Sequence, residues 1–242
     1  MLKPHLQNVA FGVDTVLLRS GDEIDQVYFP SSGAIAFMVD MPDGHTVATT
    51  LMGPEGAVGV LAVLGPSRSP VTATVRVAGT ALQIPVPKLQ SAFARSAAIR
   101  HVLHVHVRTQ LLQLQHVAAC NALHSVERRM GRWLLELHDR VAADVLPLTQ
   151  EALAQLLGVR RTTVTLTMSR LRAAGAIRSE RRGFIEIDRN RLENVACECY
   201  AVMQARLGRS YDEELSAVPR AAAPLQADAT VPERKAASGP KE

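Results

Sequence analysis

Residues Leu148–Leu171, LTQEALAQLLGVRRTTVTLTMSRL, decide how this chain is read. Thr149 is placed to cap a first helix, its hydroxyl accepting a hydrogen bond from an amide of the first turn. Leu153 and Leu157, with Leu156 beside them, recur at helical spacing and predict a buried stripe. Ala154 is small where a second helix must pass, and Gly158 can take the left-handed conformation that ends a helix and turns the chain. Val159 then plugs the angle between the two helices. In the second helix Val164, Met168 and Leu171 face inward, leaving Arg161, Thr162, Thr165, Leu166 and Ser169 outward. This is the pattern of a helix-turn-helix.

The outward face is short, rich in hydroxyls and headed by Arg160 and Arg161. It suits the major groove of DNA, where a guanidinium fork donates two bonds to guanine and threonine offers a hydroxyl and a methyl. A helical hairpin with a solvated arginine face is the bland alternative. The next residues, AAGAIRSERRGFIEID, argue against it: they predict a strand from Ile177, a turn at Arg181-Arg182-Gly183 and an alternating return strand over Phe184–Ile187. Such a hairpin is a wing with a basic tip. From Gly158 to Arg182 stand seven arginines against one acid, Glu180, a net charge of +6 that phosphate attraction explains economically.

Composition sets the frame. A chain of 242 residues with 47% hydrophobic content can bury a sizeable core and has room for two domains. No apolar run approaches the roughly 20 residues of a membrane helix, and MLKPHLQN lacks the apolar stretch of a secretory signal, so a soluble cytoplasmic protein without membrane contact is expected. Three cysteines, Cys120, Cys197 and Cys199, cannot all pair within one chain, which suits a reducing compartment. The overall charge of +4 hides an asymmetry, since residues 1–55 carry two basic and seven acidic groups. The basic end is the one that faces DNA.

From Val27 to about Ile84 short aliphatic strands alternate with turns, as in a small antiparallel barrel or jelly roll. Pro85 and Pro87 end that pattern, and Lys88–Arg95 reads as a short helix. From about Ala97 to Asn121 no proline or glycine interrupts the chain. Leu103, Val107, Gln110, Leu114 and Val117 repeat there at heptad-like spacing, predicting a dimerisation helix whose register Gln110 would fix. An ordinary core helix is the alternative. Ser125–Val141 predicts an amphipathic helix with Val126, Met130, Trp133, Leu134 and Leu137 inward and Arg128, Arg129 and Arg132 on the polar side. After the wing, Asp188 should cap one last helix reaching Leu207 or beyond, and residues 216–242 read as a disordered tail. The expected fold is therefore α+β: an effector-type β-roll (1–95), a dimerisation helix (96–123), and a winged helix-turn-helix domain with a C-terminal helix (124–215).

Barrel, long helix and winged helix-turn-helix, in that order, resemble the catabolite-activator and fumarate-nitrate-regulator (Crp/Fnr) superfamily of bacterial transcription factors over about residues 15–193. The most specific matches are the helix-turn-helix and, in the barrel, the framework Gly33, Gly44, Glu55-Gly56 and Val58-Gly59. The resemblance implies a homodimer on a near-palindromic operator, with recognition helices in successive major grooves about 34 Å apart. It also implies dealings with RNA polymerase and a small-molecule effector of unknown identity, and calls for no catalysis. Arg161 matches the family's guanine-reading arginine, and Thr149 and Thr163 match phosphate-contacting positions. The expected DNA-contacting set is Thr149, Gln150, Arg160, Arg161, Thr162, Thr163, Thr165, Leu166, Ser169 and Arg182. Thr162 and Leu166 stand where the family usually has glutamate and arginine. Both are better suited to a thymine methyl, so the operator should differ from the best-known one.

The effector site departs further. Val60 stands where cyclic-nucleotide-binding members hold the ribose with a glutamate, and Val71-Thr72 where an Arg-Ser pair holds the phosphate. No Asp or Glu occurs from Gly56 to Val126. Arg68-Ser69 lies close by and could be realigned as the phosphate pair, leaving a cyclic-nucleotide-responsive regulator as the second reading. The expected pocket comprises Gly59, Val60, Arg68, Ser69, Val71 and Thr72. A third class of function attaches to VLHVHVR, which as a strand would set His104 and His106 on one face, as in a cupin metalloenzyme. The carboxylate that such a site wants four or five residues on is replaced by Gln110 and Leu111. Metal or haem sensing through His101, His104, His106 or His116 is open on the same grounds. Cys197-x-Cys199 on a continuous helix would point its thiols about 200° apart, a poor chelate. No cysteine precedes Cys120, so the N-terminal cluster of iron-sulfur regulators is missing; neither metal nor cofactor is called for.

Overall fold

The computed structural model describes residues 1–141, 144–181 and 183–216, with side chains to residue 207. Its roll is built from β1 (Gln7–Phe11), β2 (Val16–Leu18), β3 (Gln26–Pro30), β4 (Ala34–Asp40) and β5 (Thr46–Met52), then, after the short helix α1 (Leu61–Leu64), β6 (Thr72–Val77) and β7 (Gly79–Pro85). Every pairing is antiparallel, in two sheets ordered β1-β7-β3 and β2-β6-β4-β5. The strands thus begin well before Val27. β1 reads poorly as a strand because most of its residues stay exposed and only Phe11 is buried.

Helix α2 (Val86–Arg95) starts where Pro85 and Pro87 allow a first helical turn, whose amides have no intrahelical partner to lose. Ser96 caps the long α3 (Ala97–Leu123), its hydroxyl accepting from the Ile99 amide. This helix lies on the roll, and within the heptad-like stripe Leu103 and Val117 are buried in their own chain, Val107 and Gln110 half-buried and Leu114 exposed. Leu103 packs with Ile24, Val27 and Val60. The large apolar residues that α3 leaves exposed are Val102, Leu111, Leu114 and Leu123. His104 and His106 sit on this helix, one exposed and one buried. The strand that a cupin site needs is not there, because the helical face that covers the roll sets the local structure.

Ser125 caps α4 (Val126–His138). Its Arg132, expected on a polar face, is fully buried, paired with Glu136 at 2.6 Å and 4.6 Å from the Trp133 ring centre. The pair lets a charged side chain enter the core. There follow β8 (Val145–Leu146), α5 (Gln150–Leu157), α6 (Arg161–Ala173), β9 (Ile177–Arg181) and β10 (Phe184–Ile187), the strands ordered β8-β10-β9. β8 is too short to leave a period in the sequence. Asp188 caps α7 (Arg189–Val195) as expected, but the helix stops at Ala196 and α8 (Cys199–Ser216) starts afresh. Two helices therefore stand where the sequence predicts one. The tail from residue 217 lies outside the described residues.

The largest core cluster crosses from roll to helix-turn-helix, joining Ala34, Ala36, Met38, Ala48 and Leu51 to Leu153, Leu157, Val164, Met168 and Leu171. Buried Arg76 of β6 donates at 2.6 Å to Gln155 of α5, and Arg140 pairs with Glu55 across the same seam. Among the described residues no helix is long and apolar enough to cross a membrane.

Candidate nucleic-acid interface and effector cavity

The reading face begins with the turn. Thr149 accepts from the Ala152 amide at 3.1 Å, and Gly158 ends α5 at φ 64°, where a side chain would be strained and would press on Val47. Val164, Met168 and Leu171 have no exposed surface, which fixes the rotation of α6. Arg161, Thr162, Thr165, Leu166 and Ser169 are accordingly exposed, with Thr163 half-buried and Leu166 at 56%. Leu166 thus stands beside Thr162 and Thr165 with its methyl groups facing solvent.

Not every polar group on this face is available. The Thr165 hydroxyl donates to Gln150 at 2.8 Å, the Gln150 amide donates to Glu180 at 2.9 Å, and Arg172 pairs with Glu180 at 2.6 Å. This network ties the base of α6 to the wing. Glu180, which the charge count treats as a blemish, is its centre. Its one signal in the sequence is that it is the lone acid of the stretch. Arg178 is paired with Asp188, and Arg170 lies 3.9 Å from Glu127. Arg160, Arg161 and Arg181 are exposed and carry no ion pair among the described residues. Positive charge is therefore concentrated at the start of α6 and on the wing. Arg182 lies outside the described residues.

The effector-type cavity, ≈ 200 Å³, opens between the roll and α3. Gly59, Val60, Ser69 and Val71 line it; Arg68 and Thr72 do not. Arg68 is exposed and donates to the Gly21 carbonyl at 2.8 Å, and Thr72 donates to Asp40 at 3.1 Å. Ser69 is buried and spends its hydroxyl on the Val71 carbonyl at 2.6 Å. The realigned phosphate pair is thus not assembled. Val107, Gln110 and Leu114 of α3 form the opposite wall, so three residues of the expected dimer seam face this cavity. Among the described residues no charged side chain lines it. Its volume is below the roughly 300 Å³ at which drug-sized ligand pockets begin.

Comparison with known proteins agrees with this geometry. Residues 128–195 match the Crp-like helix-turn-helix domain and residues 9–96 the cyclic nucleotide-binding domain. The chain is 27% identical over 198 residues to the CRP-like cAMP-activated global transcriptional regulator of Mycobacterium tuberculosis, covering 79% of this chain and 88% of that protein. A Crp/Fnr-family regulator from Thermus thermophilus is similar with a TM-score of 0.65 at 25% identity, covering 78% of this chain and 98% of that one. FixK2 from Bradyrhizobium japonicum has a TM-score of 0.66 at 18% identity, covering 79% and 98%.

Proposed function

We propose that the chain is a Crp-like transcriptional regulator with a helix-turn-helix DNA-binding domain, working as a homodimer on a near-palindromic operator and answering to a small uncharged effector and not to cAMP. The observation that carries the DNA reading is the outward face of α6, held forward by three fully buried residues and headed by exposed arginines. Thr149 and Thr163 would steady phosphates, Arg160 would add charge, and Arg161, Thr162, Leu166 and Ser169 would meet base edges.

The effector reading rests on the cavity wall. Arg68 is turned away, and a valine stands at the ribose position. A cyclic nucleotide would enter with no cation for its phosphate and no carboxylate for its ribose, at a cost no aliphatic contact offsets. A neutral, largely apolar molecule suits the aliphatic lining, with Thr49, Thr50 and Gln110 to orient it. Because α3 forms one wall, such a ligand would act on the dimer helix directly. The partner-facing stripe we assign is Leu111, Leu114 and Ala118, all exposed on one chain.

Selection of binding sites from random duplexes tests the reading. An inverted repeat with half-sites one helical turn apart is expected; no enrichment over the input pool contradicts it. Calorimetry with cAMP should give no heat of binding at micromolar concentrations, whereas binding that also tightens operator affinity would restore the cyclic-nucleotide reading.

A further inference from the structure

Three thiols and an imidazole that DNA reading does not use meet where α3 joins the C-terminal helices. Cys120 lies in the last turn of α3 and His124 follows that helix as its cap. At four residues' spacing they share a helical face. Cys197 sits in the break between α7 and α8, and Cys199 opens α8. On one continuous helix the last two would diverge. The extended backbone of Ala196 (ψ 152°) turns both inward, and Gly131 of α4 admits that break so closely that a Cβ there would lie 2.9 Å from the Ala196 Cα.

The four ligand atoms lie within 4.8 Å of one another. Cys120 Sγ is 3.6 Å from Cys197 Sγ, and Cys199 Sγ is 3.5 Å from His124 Nδ1. A tetrahedral ion with metal–sulfur bonds of about 2.3 Å and a metal–nitrogen bond of about 2.0 Å needs edges of roughly 3.7 Å and 3.5 Å. Two edges are therefore already in place. The cluster is too tight to enclose an iron-sulfur cube.

Two independent features point to a ligand. His124 turns Nδ1 to the thiols while its Nε2 lies 3.0 Å from the Glu198 carboxylate, the outer hydrogen bond that orients a metal-bound imidazole. Next to Gly131, which abuts the break at Ala196, Arg132 is fully buried and its Nε and Nη2 have no hydrogen-bond partner among the described residues. Three thiolates around a divalent cation leave one net negative charge, and a guanidinium with two N–H groups not spent on Glu136 is a donor suited to such sulfurs.

We propose that Cys120, His124, Cys197 and Cys199 form a closed, mononuclear site for a thiophilic divalent cation, zinc by geometry, and that the ion locks the joint between α3 and the DNA-binding domain. Binding makes three metal–sulfur bonds and one metal–nitrogen bond and releases the thiol protons to solvent, with no change of oxidation state. All three cysteines are buried, so the site has the four-protein-ligand form of a structural centre and leaves no position for a reacting water.

The full chain, reduced and stripped with a chelator, should be titrated with Co²⁺. The expected result is the ligand-field spectrum of tetrahedral cobalt with sulfur-to-metal charge transfer, saturating at one ion per chain and bleached by zinc. Glu198→Gln keeps all four ligands and should weaken binding about 10–100-fold, and Cys199→Ser should weaken it at least as much. Should Cys199→Ser fail to fold, Glu198→Gln carries the test, its fold checked by circular dichroism. Reduced protein without a tetrahedral spectrum, or affinity that neither substitution lowers, overturns the site. So does a chain isolated with Cys120 bonded to Cys197 that takes up no cobalt after reduction. DNA affinity that stays unchanged between stripped and zinc-loaded protein overturns the locking role; a fall on stripping that zinc reverses is expected.

Discussion

His106 reaches from α3 into the roll, where burial pushes its imidazolium below the usual histidine range despite a bond with Ala57 and the nearby charge of Glu55. The unfolded chain binds the proton more readily than the folded one, so stability is lost as pH falls from about 6.5 toward the depressed folded value. Urea denaturation across that window should show the loss, and His106→Gln should flatten it. Arg132 is the residue whose burial the sequence concealed. Helical periodicity sets it with Arg128 and Arg129 on a polar face, but Glu136 one turn on supplies the counter-charge that lets it go inside. Arg132→Ala would strand Glu136 and should destabilise the fold by about 3–5 kcal/mol; equilibrium denaturation measures it. Val164, Met168 and Leu171 were legible, because apolar residues at steps of four and three just after a turn glycine mark a helix packed on one face. The thiol cluster was not. Its four members come from segments far apart in sequence, and only the break at Ala196 turns Cys197 and Cys199 the same way.

At the scale of elements, α3 separates what periodicity can tell from what it cannot. A heptad-like stripe establishes that a helix buries a face; it does not say against what. Here Leu103 meets the roll, Val117 is buried within its own chain, and Val107, Gln110 and Leu114 wall the cavity. Two substitutions separate the faces. Leu103→Ala removes a core side chain and should cost about 2–5 kcal/mol in thermal or chemical unfolding without altering assembly. Leu111→Glu, from a residue 56% exposed on one chain, should leave the fold intact and set like charges across a two-fold axis. Sedimentation should then show monomer; an unchanged dimer places the interface elsewhere. The wing was legible from its alternation and turn, whereas β8, with only two residues, could not announce itself.

The whole molecule couples its domains through one core. Arg76 joins β6 to α5, Arg140 joins Glu55, and Val47 packs where Gly158 turns the reading hairpin. Roll and helix-turn-helix should therefore unfold in one transition. Replacing Arg76 and Arg140 together by alanine should split it in calorimetry, and a single sharp transition in that variant would show the apolar cluster sufficient by itself. Element order revealed the two domains, but nothing in the sequence reveals that their cores merge, since long-range packing leaves no period. Whether α6 reads bases is decided at Arg161. Losing a bidentate guanine contact should cost about 1–3 kcal/mol per half-site and relax preference at one base pair, while Arg181→Ala, on the wing, should weaken all sequences alike. Binding-site selection run in parallel on the wild type and Arg161→Ala is the measurement. The motif of the variant should lose information at one symmetric pair of positions; an identical motif would mean that α6 is only a charged landing surface.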